Sequence, residues 1–219
     1  MNSSGPFCRD GRQTISTEEI PLIGVIGGSG LYELPGLTIA DTIEMETPYG
    51  KPSGHITIGE LCGGRIAFLP RHGKEHTIPP HKVPYKANLA ALKSLGVGHI
   101  IGTCVVGSLR KEIKPGTFVI LDQFINFTWG RDDTYEIDRE LVHLPMAQPY
   151  CEHIREIFVR ELKAMNVACD TKGTVVVIQG PRFSTIAESK MFTLWGGDVV
   201  NIDEAYRSHR CGQTKKKIE

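Results

Sequence analysis

Short apolar runs alternate along the chain with stretches of helical periodicity, and that alternation sets the first expectation of the fold. Ile23 to Ile26 is apolar and runs into Gly27-Gly28, which predicts a strand ending in a glycine turn. Arg65 to Pro70 reads as a strand closed by proline, which lacks the N–H for a further ladder bond. In "VPYKANLAALKSLG" the positions Ala87, Ala91, Leu92 and Leu95 share one helical face, with Pro84 near the start and Gly96 placed to end the helix. "HIIGTCVVGSL" and Thr117 to Ile125 return to strand character. "CEHIREIFVRELKAMN" sets Ile154, Ile157, Phe158, Leu162 and Met165 at helical spacing. "TVVVIQG" is β-branched with little polar alternation, the pattern of a strand covered on both faces. "STIAESKMFTLWGG" predicts a helix opened by a Thr185–Glu188 capping box and closed by Gly196-Gly197, and Asp198 to Asn201 is a further strand. The repeated strand–helix–strand order predicts an α/β fold: a single domain with a mixed, twisted central sheet flanked by helices.

The two ends depart from this rhythm. Residues 1–19 are polar and aperiodic and read as a flexible lead-in, leaving 20–201 as the folded domain. Residues 202–219 form a polar tail with no apolar periodicity. The strand ending at Asn201 should be followed by a covering element, and the tail supplies none. The expectation is an incomplete domain in which Trp195, Val199 and Val200 lack a cover.

Composition narrows the function. A length of 219 residues suits one domain, and 25 Lys and Arg balance 25 Asp and Glu, so no net field draws the chain to nucleic acid or an anionic membrane. The six cysteines are scattered without a CxxC, which predicts reduced thiols and neither a disulfide framework nor a zinc site. The sequence has no apolar run of membrane-spanning length and no signal-peptide core, so a cytoplasmic location is expected.

Ligands of α/β proteins bind beyond the carboxyl ends of the strands, and four such loops carry unusual residues. Gly27 to Gly30 is not a GxGxxG fingerprint, since Glu33 stands at the third glycine, and no Gly-Lys-Ser/Thr makes it a P-loop. Its glycines permit positive φ and close backbone approach, and Ser29 adds a hydroxyl, so it reads either as an anion nest or as an ordinary glycine turn. In "PRHGKEHTIPPHKVPY", His72 and His76 are four apart, but the glycine and prolines around them deny the helix a zinc pair needs, and no metal is expected. Arg71 beside His72 suits an oxyanion, the alternative being a solvated basic loop. Cys104 has no local base to make it a nucleophile. Phe183, after "QGPR", suits stacking on a planar ring or a place in the core.

Together these loops resemble the trimeric purine nucleoside phosphorylase family, in its methylthioadenosine-cleaving branch. The resemblance rests on "IGVIGGSGLYELPGL", "TPYGKPSGHITIGEL", "LPRHGKEHTIPPHKVPYKANLAALKSLGV", "GSLRKEIKPGTFVILDQFI", "HLPMAQPYC" and "GTVVVIQGPRFSTIAESKMFTLWGGDVVN". It implies phosphorolysis of 5′-methylthioadenosine to adenine and 5-methylthioribose 1-phosphate, with inorganic phosphate as co-substrate and no metal or organic cofactor. It implies phosphate contacts at Ser29, Arg71, His72, Cys104 and Val105. Phe183 and Ser184 would line the base pocket, Ile202 would sit behind the ribose, and His143 would reach a neighbouring subunit of a homotrimer. Beyond Asn201 the likeness stops. Asp203 stands where the family has a threonine on phosphate, a carboxylate there would repel the anion, and the family's purine-binding aspartate has no counterpart. No catalytic acid is therefore assigned, and the 219-residue chain is expected to be nearly inactive and poorly stable. An inosine and guanosine phosphorylase, or a non-catalytic isoform that joins family trimers, are the alternatives.

Overall fold

The computed structural model describes residues 21–28, 36–131 and 145–203. Backbone contacts divide them into two compact units, the first comprising the described residues up to Ile78 and Lys82–Thr103, the second Pro79–His81 and the described residues from Cys104 onward.

The first unit is built on five strands: β1 (Leu22–Gly27), β2 (Thr38–Ile43), β3 (Ile56–Leu61), β4 (Gly64–Pro70) and β5 (His99–Gly102). Their order is β2-β3-β4-β1-β5. β4, β1 and β5 run parallel, while β2, β3 and β4 form an antiparallel meander. β3 and β4 are joined by Cys62-Gly63, both at positive φ (51° and 79°), the backbone that a two-residue hairpin turn demands. Helix α1 (Tyr85–Ser94) buries Ala87, Ala91 and Leu92. It begins after Pro84 and closes at Leu95, with Gly96 following at a φ of 81°.

The second unit holds β6 (Gly107–Ser108), β8 (Gln123–Phe127), β10 (Thr174–Ile178) and β11 (Val199–Asn201) in the order β6-β11-β10-β8, with β7 (Phe118–Val119) and β9 (Cys169–Asp170) as a separate parallel pair. β11, β10 and β8 are parallel and β6 is antiparallel to β11. Helices α2 (Glu152–Ala164) and α3 (Ile186–Leu194) complete it. β10 is the spine: Val175 and Val177 pack with Ile113 and Val199, while Val176 and Ile178 pack with Phe192. Both faces of "TVVVI" are covered, as its unbroken β-branched pattern requires. The capping box of α3 is formed, Thr185 Oγ1 accepting from Glu188 N–H at 3.1 Å and Glu188 Oε2 accepting from Thr185 N–H at 2.7 Å. α1, α2 and α3 all close in the same way, with Gly96, Asn166 and Gly196 in the left-handed region and the next N–H bonded back to the helix.

The α/β class and the mixed sheet hold, and several boundaries are corrected. The run Thr117–Ile125 is two strands, because β7 pairs with β9 and β8 with β10. "HIIGTCVVGSL" is likewise divided into β5 and β6, which belong to different sheets. β2 and β3 were not anticipated; nearly every residue of β2 is exposed, so it carries no apolar alternation to read. Val199 is fully buried and Val200 half-buried, contrary to the expectation that they lack cover, whereas Trp195 is exposed as expected, with one ring edge against Phe127 at a centroid distance of 5.6 Å. Cys62 is held in a disulfide, which corrects the expectation of thiols throughout, while Cys151 and Cys169 carry free thiols. Among the described residues no helix is long and apolar enough to cross a membrane.

Candidate functional site

In the first unit the exits of three adjacent parallel strands carry the candidate chemistry. β1 leads into Gly28, β4 into Arg71 and His72, and β5 into Thr103. Two backbone bonds prolong the ladder past the strand ends: Arg71 N–H to Gly27 O at 2.9 Å and Thr103 N–H to Ile26 O at 3.1 Å. Beneath them Ser53 Oγ donates to Pro70 O at 2.7 Å, and Ser53 N–H donates to Asn88 Oδ1 of α1, also at 2.7 Å. Ser53 and Asn88 are both buried, so the carbonyl immediately before Arg71 is held from the helix side.

Arg71 is only 3% exposed. Its Nη1 donates to Thr103 O at 2.8 Å, across the mouth of β1. Its Nε donates to His72 Nε2 at 3.3 Å, and His72 Nδ1 donates to Ile78 O at 2.8 Å, which leaves Nε2 as the acceptor. The imidazole therefore orients the guanidinium, a role the sequence did not suggest. Gly28 makes room for it: a Cβ there would lie 3.1 Å from Arg71 Nη2. This close approach is the reason for glycine at 28. The positive φ anticipated at this turn is not adopted by Gly28. A guanidinium taken this far out of water, with its donors arrayed at strand exits, is suited to a small oxyanion. His76 lies tilted against His72, with ring centroids 4.7 Å apart and planes at 54°, and among the described residues no group of three His, Cys, Asp or Glu could hold a metal ion.

The second unit gathers a different set at the exits of β10 and β11. Asn201, the last residue of β11, donates from Nδ2 to Val105 O at 2.8 Å and accepts from Asp203 N–H at Oδ1 at 2.5 Å. One buried amide thus brings two of the expected site positions, Val105 and Asp203, together. Val105 presents its side chain to solvent at 96% exposure, and Cys104 beside it is half-buried. After β10 the chain turns through Gly180, at φ 62°, where a Cβ would collide with Ile202 Cγ2; glycine here admits the ribose-side candidate Ile202 against the loop. Phe183 is 82% exposed, so it is no core aromatic. Ser184 Oγ lies 2.9 Å from Ser189 Oγ.

Arg182 and Glu188 close the same loop with two charge-assisted bonds, of 2.6 and 2.8 Å. The Arg182 guanidinium, with the Thr185 N–H, holds the Glu188 carboxyl down at about 2. Phe127, Trp129, Ile178, Gln179 and Gly180 line a small pocket with this pair. Ser29 and His143 lie outside the described residues. Ser53, Asn88 and Asn201 were not singled out from sequence. The available signals were slight: a polar residue ending the apolar run Val199-Val200, and an amide among the alanines of a helix face.

A family model described as the phosphorylase superfamily matches residues 22–203. The chain is 48% identical over 180 residues to the S-methyl-5′-thioadenosine phosphorylase of Thermofilum pendens, which covers 82% of this chain and 69% of that protein. It is 49% identical over 183 residues to the protein of the same name from Pyrococcus furiosus, covering 84% of this chain and 70% of that protein. Among solved structures it resembles a methylthioadenosine phosphorylase from Schistosoma mansoni, with a TM-score of 0.81 and 36% identity over 86% of this chain and 75% of that one.

Proposed function

Because the chain belongs to the phosphorylase superfamily, we propose that it cleaves 5′-methylthioadenosine with inorganic phosphate, giving adenine and 5-methylthioribose 1-phosphate. The observation that carries this reading is the buried Arg71 guanidinium, fixed by Thr103 O and His72 beside the glycine at the exit of β1. A phosphate oxygen attacks C1′ as the C1′–N9 bond breaks, the bonding pair leaves on the purine, and the purine takes up a proton. Positive charge builds on the ribose in between, so a dianion held against that carbon both attacks and stabilises it. Arg71, oriented by His72, is the anchor for phosphate, with Ser29, Cys104 and Val105 as further contacts. A thiol at 104 donates more weakly than a hydroxyl, and a carboxylate at 203 opposes the anion, so phosphate binds less tightly than Arg71 alone would allow. Phe183, Ser184 and Ile202 take the nucleoside. The reaction needs neither metal nor organic cofactor, and His143 serves a neighbouring subunit in a homotrimer.

The test is release of free base by the purified chain, followed by chromatography. Adenine should form from methylthioadenosine only when phosphate is added, should persist in a chelator, and should outpace hypoxanthine from inosine. Preference for inosine would move the chain to the oxopurine enzymes, and adenine release without phosphate would make it a hydrolase. Sedimentation velocity at micromolar protein should give a trimer; a monomer that remained fully active would remove His143 from the site.

A further inference from the structure

Resting on the nucleoside reading above, we propose that Arg131 is a positioning residue that sets the spacing between the Gln179–Ser184 loop and Ile202. β8, β10 and β11 are adjacent and parallel, and their ladder ends at the pairs Phe127–Ile178 and Val177–Asn201. Ile178 is the last residue of β10, and Gln179 and Ile202 follow directly on β10 and β11. Arg131 follows β8 by four residues, and its side chain reaches across all three exits. Its Nη2 donates to Gln179 O at 2.8 Å and to Ile202 O at 3.0 Å, with Ile178 O, at 3.2 Å, sharing one of these two protons. Its Nε donates to Gln179 Oε1 at 3.3 Å, and the same oxygen accepts from Trp129 N–H at 3.2 Å. One cation therefore ties the ends of three strands where the sheet no longer does. Bonds from a charged donor are stronger than neutral ones, and the two to Gln179 O and Ile202 O, at 2.8 and 3.0 Å, carry the tie.

The first unit uses the same device. There Arg71, from the exit of β4, passes beside the exit of β1 and donates to the carbonyl at the exit of β5. In the second unit the tied segments are those that carry Phe183, Ser184 and Ile202. Gly180 adds a constraint of its own, since Ile202 packs where any larger residue at 180 would stand. Arg131 itself need not touch the substrate. It holds two walls of the nucleoside pocket at one separation, and a wall displaced by an ångström costs binding and alignment together.

The experiment compares the full chain with Arg131→Lys and Arg131→Ala. Nucleoside KM should rise about tenfold or more in the alanine variant, the scale of lost charged hydrogen bonds, while phosphate KM stays within about twofold. Lysine should recover part of that loss, and millimolar guanidinium should recover part of it in the alanine variant. Equal rises in both KM values, or no rescue, would reduce Arg131 to a general stabiliser and overturn the proposal. Amide exchange supplies a readout that needs no turnover. Exchange at Gly180, Ile202 and Asp203 should quicken in either variant while β1 and β4 keep their protection. Unchanged exchange would refute the tie even if the wild-type chain cleaves no nucleoside, a result that would separately count against the proposed reaction.

Discussion

Replacing Arg71 by methionine removes the fork while leaving the apolar stem in place, and it tests the phosphate site most directly. Arg71 is 3% exposed and its guanidinium is held by Thr103 O at 2.8 Å and His72 Nε2 at 3.3 Å, so the direction of its planar fork is fixed. A hydrogen bond to a charged group is worth about 1.5–3 kcal/mol, and tenfold corresponds to about 1.4 kcal/mol, so one lost contact to phosphate lowers kcat/KM for phosphate about 10- to 100-fold. Stability responds separately. The Thr103 carbonyl loses its partner at a cost of about 1–3 kcal/mol, offset in part because a buried cation has been removed. For a chain of this size each kcal/mol moves Tm by about 2–4 °C, so a fall of a few degrees is expected. The assay is adenine release at saturating methylthioadenosine with phosphate varied, beside a melting curve for each protein. Arg71→Lys should lie between methionine and wild type, since an ammonium supplies charge without the planar pair of donors. A folded methionine variant with unaltered phosphate dependence would refute the reasoning.

Gly28→Ala tests the same site without touching its charge. The new methyl would meet Arg71 Nη2 at 3.1 Å with no backbone strain, so phosphate KM should rise several-fold while nucleoside KM and Tm hold. Phe192→Ala should cost about 3–5 kcal/mol in denaturant unfolding, because the ring is fully buried and stands edge-on to Phe127 at 5.3 Å; a loss below 1 kcal/mol would show that the second core is assigned wrongly. The Glu188 carboxyl, depressed to about 2 from an ordinary 4.5, favours folding above its unfolded value, and that contribution disappears as pH falls through about 2. A carboxyl-carbon titration should therefore show a midpoint near 2, and Arg182→Ala should return it towards 4.5.

What could be read directly from the sequence is what depends on near neighbours. The capping box of α3 joins residues three apart, and the helix ends at Gly96 and Gly196 are local hydrogen-bond patterns, so both were visible in advance. β10 was visible because burial on two faces requires an unbroken apolar run. Arg71 and His72 were visible because Pro70 marks a strand's end and a guanidinium beside an imidazole suits an anion. The tertiary structure decided everything that rests on distant partners. The division of Thr117–Ile125 into two strands follows from pairing with Cys169–Asp170 and Thr174–Ile178, which no local pattern encodes. His72 turned out to orient Arg71 because Ile78 O claims its other nitrogen. Asn201 meets Val105 across 96 residues of chain, and Arg131 meets Ile202 across 71. A side chain's local sequence can advertise its charge and its place at a strand exit, but the distant carbonyls it donates to are brought within reach only once the sheet has formed.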